Sequence, residues 1–341
     1  MELKTIGIDL AKTVFQVHGV DHRGKAVLRK RLSRSQLSRF VSDLSPCLIG
    51  MEACSGAHFW ARQFRAHGHT VKLIAPQFVK PYVKSNKNDA ADAEAICEAV
   101  ARPNMRFVPI KEIAQHDIQC LHRVRERLVS ARTALINETR GLLAEYGYVL
   151  PAGKSHVRGK LMESVGLALE QSRMTTLTES MFTDLLEELQ ELEARIGKLN
   201  TQIENIHKNH PVSQRLAQIP GVGPMTATAL VAAVGDAKEF KNGRQLSAWL
   251  GLVPKQHSSG GKEQLLGISK RGDKYIRKLL IHGARAEMKY LEKRPKSRHT
   301  QWLMELEARR GTNRAVVALA NKNARRAWVM MVREVDFDRS A

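Results

Sequence analysis

Short apolar runs open the chain. Thr5-Ile6-Gly7-Ile8-Asp9 reads as an apolar strand ending on an acid. Thr13–Val20 and Lys25–Leu32 alternate apolar and polar positions, as half-buried strands do, and Asp21-His22-Arg23-Gly24 between them carries hairpin chemistry. Ser33–Leu44 has the spacing of an amphipathic helix capped by Ser33 or Ser35. Cys47–Glu52 is a continuous apolar run that again ends on an acid. Ala57–His67 (helix), Thr70–Ala75 (strand) and Asp89–Ala101 (helix) follow. Three antiparallel strands, then strand, helix, strand and helix, predict a mixed α/β sheet with the first and fourth strands adjacent.

Beyond residue 115 the period changes to that of helices. His116–Tyr146 reads as one long basic helix with Leu121, Val124, Leu128, Ala131 and Leu135 along one side. Pro151–Lys160 reads as a basic break. Phe182, Leu185, Leu189, Leu192, Ile196, Leu199, Ile203 and Ile206 then alternate steps of three and four, the spacing of a coiled-coil seam. That seam can pair with the 116–146 helix or with another subunit, and oligomerisation is the expected use. Ile219-Pro220-Gly221-Val222-Gly223-Pro224 interrupts two helical stretches like a helix-hairpin-helix. In that motif glycines such as Gly221 and Gly223 let backbone N–H groups approach a phosphate; a tight turn between packed helices is the alternative. The expected division is therefore 1–115 (α/β), 116–210 (long helices and coiled coil) and 211–341 (mainly α).

Charge changes this picture more than composition does. The 341 residues carry 55 Lys+Arg against 34 Asp+Glu, a net charge of +21, and a large positive charge points first to nucleic acid. The excess is concentrated in 251–341, with 21 Lys+Arg against 9 Asp+Glu. There Lys255 and Lys262 flank a glycine-rich loop, Lys270 and Arg271 precede a helix capped by Asp273, and Lys274, Arg277, Lys278 and Arg285 are expected along one face of it. Such a stripe beside a basic loop suits phosphate-backbone contact. The four cysteines form no CxxC pair and read as reduced cytosolic thiols. Met1-Glu2-Leu3-Lys4 leads straight into a strand, so no signal peptide is expected. The most apolar run, Ala227–Val234, is too short to span a bilayer.

The candidate chemistry lies in four carboxylates. Asp9 and Glu52 end neighbouring strands, and Asp89 and Asp92, three residues apart, share one helical face. Such acids repel one another unless a cation sits among them, and magnesium prefers hard oxygen ligands. Phosphodiester cleavage builds charge on the attacking and leaving oxygens, which two metals about 4 Å apart stabilise. The alternative is that Asp89 and Asp92 merely complement the positive end of a helix.

Taken together these motifs resemble the DEDD-type insertion-sequence transposases, the RNA-guided bridge recombinases. Gly7-Ile8-Asp9-Leu10-Ala11-Lys12, Gly50-Met51-Glu52-Ala53 and Lys87-Asn88-Asp89-Ala90-Ala91-Asp92-Ala93 match the ribonuclease-H/RuvC-like domain of that family. Ile219–Gly223, Gly251-Leu252-Val253-Pro254 through Ser258-Ser259-Gly260, Ile268–Asp273 and Ile276-Arg277 match its C-terminal transposase domain. The resemblance implies a magnesium site, with two ions, at Asp9, Glu52, Asp89 and Asp92. It also implies a nucleophilic serine that forms a covalent serine–DNA intermediate. Four residues separate Pro254 from Ser259, the family spacing, so Ser259 is chosen over Ser258. A homotetramer, a structured bridge RNA, DNA ends and target as substrates, and a bacterial cytoplasmic, nucleoid-associated location are implied as well. The competing readings are a RuvC-like structure-specific nuclease or junction resolvase using water, and a non-enzymatic nucleic-acid scaffold whose acids are structural.

Overall fold

The computed structural model describes residues 3–84, 88–293 and 297–338; Lys87 of the acidic motif lies outside them. The chain runs β1 (Thr5–Asp9), β2 (Val14–Val20), β3 (Ala26–Ser33), α1 (Arg34–Ser42), β4 (Leu48–Glu52), α2 (Ala57–Ala66), β5 (Thr70–Ile74), α3 (Pro76–Val79), α4 (Asp89–Val100) and β6 (Phe107–Val108). Helices dominate thereafter: α5 (Ile113–Ala144), α6 (Lys154–Glu170), α7 (Thr176–Lys208), α8 (Pro211–Leu216), α9 (Pro224–Val234) and α10 (Gly243–Trp249). A hairpin of β7 (Pro254–Gln256) and β8 (Leu265–Ile268) precedes α11 (Lys274–Lys289), α12 (Arg298–Arg310) and α13 (Thr312–Arg333). Two compact units result: 1–114 with 234–239, and 115–233 with 240–341.

In the first unit the strand order is β3-β2-β1-β4-β5-β6, with β1 beside β4 as anticipated, the two running parallel, and β6 added at the edge. The order is consistent with a RuvC-like fold. The apolar runs fill the sheet: Ile6, Ile8, Ile49, Met51 and Leu73 are fully buried. Ser33 caps α1 through a capping box with Gln36. Helix α4 lies directly on β1 because Gly7 has no side chain. A Cβ there would stand 2.2 Å from the Ala93 carbonyl oxygen and 2.4 Å from the Cys97 nitrogen. Gly7 and Asp9 are two apart on one strand, so they face the same side, the side on which α4 sits.

In the second unit the heptad-like residues do not form a free seam. Phe182, Leu189, Leu192 and Ile196 of α7 are buried with Leu128, Leu135 and Leu143 of α5 and Val157, Leu161 and Val165 of α6. The partner is the chain's own pair of helices, and the expectation that another subunit covers this seam is corrected accordingly. The physical reason is α6: the segment read as a basic break continues as a helix whose apolar positions supply the missing third face. Between α8 and α9, Gly221 packs backbone to backbone against α11. Its φ is +82°, and a Cβ on Gly283 would come within 1.8 Å of the Gly221 oxygen.

Two outcomes follow from this packing. Gly7→Ala should cost about 3 kcal/mol, because helix backbone cannot give way as a side chain does; denaturant midpoints against wild type check this. Leu189→Ala should cost about 2–5 kcal/mol and leave the molar mass from light scattering unchanged, since its partners are intramolecular.

Candidate metal centre and serine hairpin

Three of the four acids converge. Asp9, at the end of β1, and Asp89 and Asp92, in the first turn of α4, each offer a carboxylate oxygen, and these lie within 4.8 Å of one another. Glu52 ends β4, one position beyond the Ile8–Met51 pair of the β1–β4 ladder, and so stands beside Asp9. It does not join the mutual 4.8 Å group among the described residues. Its proximity shows in Cys54, whose thiol is raised above its ordinary value by desolvation first, then by the negative charges of Glu52 and Asp9.

Both aspartates stand in the first turn of α4, where the positive helix end favours acids, but they are not its cap. Asn88 accepts a hydrogen bond from the Ala91 N–H at 2.7 Å, so the cap is already filled. Glu94 and Glu98, further along α4, are held by Lys84 at 3.0 and 2.7 Å. Asp89 and Asp92 instead turn to Asp9, a third carboxylate. Such a cluster is costly by itself and offers the hard oxygen donors that a divalent cation such as Mg²⁺ prefers. The residues fit that ion class, with Asp9, Asp89 and Asp92 as ligands and Glu52 next to them. Asp89 is exposed, so the cluster is open to solvent.

Ser259 sits at the tip of the β7–β8 hairpin. It bridges to Lys262, whose N–H donates to the Ser259 carbonyl at 3.1 Å. Gly260 and Gly261 between them have φ of +54° and +76°, the mirror-image turn that glycine supplies without steric cost. Residues 254–267 are all exposed. The Ser258 hydroxyl accepts from Gln256 Nε2 at 3.0 Å, whereas the Ser259 hydroxyl has no hydrogen bond among the described residues.

The expected cationic face is only partly realised. Lys255, Lys262, Lys270, Arg271 and Lys274 are exposed. Arg277 is not: it is buried and donates to the carbonyls of Leu250 at 3.0 Å and Arg271 at 3.4 Å. It shares the inward arc of α11 with Ile276, Leu280 and Ala284, so its place on an outward stripe is corrected. The spacing of one turn to Leu280 and two turns to Ala284 was the signal for this. Lys278 pairs with Glu126 and lies over the Tyr275 ring. Gly221 is engaged by Gly283, while a Cβ on Gly223 would meet open space. The close approach of α4 at Gly7 had a local signal as well, since a glycine inside a strand two residues before an acid is a mark of close backbone approach.

Among the described residues all four cysteines are free, and no helix is long and apolar enough to cross a membrane. A family model of DEDD transposases of the IS110 type matches residues 6–148, and one described as "Transposase IS116/IS110/IS902 family" matches 213–300. The chain is 52% identical over 98% of both lengths to a "Probable family 20 transposase" of Pseudomonas aeruginosa. It is 46% identical to the transposase for insertion sequence element IS1111A of Coxiella burnetii, over 98% of this chain and 91% of that one. With the transposase for IS1328 of Yersinia enterocolitica it shares 42% over 98% of both. The acid-bearing sheet and the matches along both parts of the chain make this protein a member of the IS110/IS116 family of transposases.

Proposed function

We propose that the protein cuts and rejoins DNA at the ends and target of an insertion sequence, with Asp9, Glu52, Asp89 and Asp92 as a magnesium-holding site and Ser259 as nucleophile. The observation that supports this most is the convergence of Asp9, Asp89 and Asp92 on the sheet of a transposase family member. A pair of Mg²⁺ ions held there would offset charge on the attacking and leaving oxygens of the scissile phosphate. Ser259 presents its hydroxyl at the tip of an exposed turn. Its oxygen bonds to phosphorus, its proton passes to water, and one phosphorus–deoxyribose oxygen bond breaks, the departing sugar oxygen taking up a proton. One phosphoester replaces another, so the bond energy is kept for rejoining.

The division of labour follows the sequence. Residues 1–115 hold the acids, 116–210 contact nucleic acid, and 211–341 supply the serine hairpin and its cations. The α8–α9 turn, with Gly221 and Gly223, acts as a helix-hairpin-helix-like element near the strand. Lys255, Lys262, Lys270, Arg271, Lys274 and Lys278 track phosphates, a bridge RNA guides the choice of DNA, and the working assembly is a homotetramer in the bacterial cytoplasm. Copurified RNA and the molar mass from light scattering test the last two points.

Three outcomes test the chemistry. Mg²⁺ should raise the melting temperature of wild type by mass action but not that of Asp92→Asn, which should lose cleavage by more than about 100-fold. Without metal Asp92→Asn should melt no lower than wild type, because it relieves repulsion. With a suicide DNA substrate and Mg²⁺, a protein–DNA adduct should appear in wild type and Ser258→Ala and vanish in Ser259→Ala. An adduct in none of them means that water is the nucleophile, as in a structure-specific nuclease. DNA binding should weaken steeply with salt, and Lys255→Gln or Lys274→Gln should each lower the log–log slope by about 1. Arg277→Gln should instead lower stability, by leaving the Leu250 carbonyl without its donor.

A further inference from the structure

A second site lies where α12 and α13 meet, and none of the family motifs includes it. Lys322, Arg325 and Arg326 stand at i, i+3 and i+4 on α13, so they share one face. Arg298 opens α12. Lys322 Nζ stands 4.2 Å from the centroid of the Trp302 ring, and His299 stacks on that ring at 6.1 Å and 24°. His299 is only 9% exposed, yet among the described residues neither ring nitrogen has a hydrogen-bond partner. Sealing two polar nitrogens from water without replacing their hydrogen bonds is unfavourable, and calls for a group that completes them.

The electrostatics agree. Burial, then the charges of Arg326 and Lys322, hold His299 down to about 4. Lys322 lies below its ordinary value, through burial first and then Arg326, Arg325 and Arg298. Among the described residues no carboxylate acts on either group. Arg325 also lines an open groove of about 290 Å³ with Asn242, Arg244 and Trp328. Guanidinium forks match phosphate oxygens, and an indole beside them offers a face for a base.

We propose that this corner is a phosphate site for a nucleic-acid strand: Lys322, Arg325 and Arg326 hold one backbone phosphate, His299 supplies a ring N–H to it, and the groove lined by Arg244 and Trp328 receives the adjoining nucleotide. The site does not involve the acid cluster, so it is measured without cleavage, and its fate is separate from that of the proposed chemistry. An acidic protein segment would satisfy the charges but has no use for the groove beside Trp328.

The test uses full-length protein with isotope-labelled histidine rings, the His299 signals being assigned with His299→Gln. Inorganic phosphate should shift those signals, and single-stranded RNA or duplex DNA of equal length should shift them at lower concentration. The double variant Lys322→Gln/Arg325→Gln, whose melting temperature should match wild type, should bind strands roughly tenfold more weakly, with a log–log salt slope smaller by about 2. Weakening confined to RNA or to DNA identifies the polymer that uses the site and upholds the proposal. Unmoved His299 signals together with unchanged strand affinity overturn it. So does polyglutamate that moves those signals at lower concentration than either nucleic acid.

Discussion

The candidate metal centre depends on how closely α4 approaches β1. Helices normally rest on sheets through a layer of side chains; here Gly7 removes that layer and lets the Ala93 carbonyl and the Cys97 nitrogen lie against the strand. The first turn of α4 is thereby carried to the end of β1, and Asp89 and Asp92 reach Asp9. The contact is strictly steric, since backbone on backbone has no soft coordinate to relax. Everything proposed for the acids inherits its precision from that contact. Asn88 matters in the same way, because by capping the helix it leaves both aspartates for another task.

The second unit repeats the device and spends a charge on it. Gly221 and Gly283 bring the α8–α9 turn against α11, while Arg277, turned inward, ties the Leu250 and Arg271 carbonyls together. The β7–β8 hairpin thus leaves a firmly held base and is exposed from residue 254 to 267. The nucleophile proposed at Ser259 would gain from such a mount, because the tip is accessible and the root is fixed.

Charge is arranged to match. Carboxylates gather on the sheet of a chain with a net charge of +21, so the acids form a local exception in a positive field. Long-range attraction draws in the polyanion. The cluster alone would repel it, and a divalent cation held there would reverse that sign. The basic corner around His299 and Lys322 lies in the other unit, where several phosphate contacts add up in affinity.

How much was legible beforehand follows from what each signal depends on. Strand and helix periods are local, so β1 to β5, α4 and the order of a mixed sheet could be read from residue spacing. Two acids one helical turn apart are likewise a local fact, and strand adjacency then brought Asp9 and Glu52 to the same edge. What the chain could not display was which partner fills an apolar face. The seam of α7 has the spacing of a coiled coil whether its neighbour is another subunit or its own α5 and α6, and only the fold chose the latter. The inward turn of Arg277 and the place of Glu52 just outside the closest group of oxygens are equally tertiary. Spacing fixes the direction in which a side chain leaves its helix or strand, but not what it meets at the end of its reach.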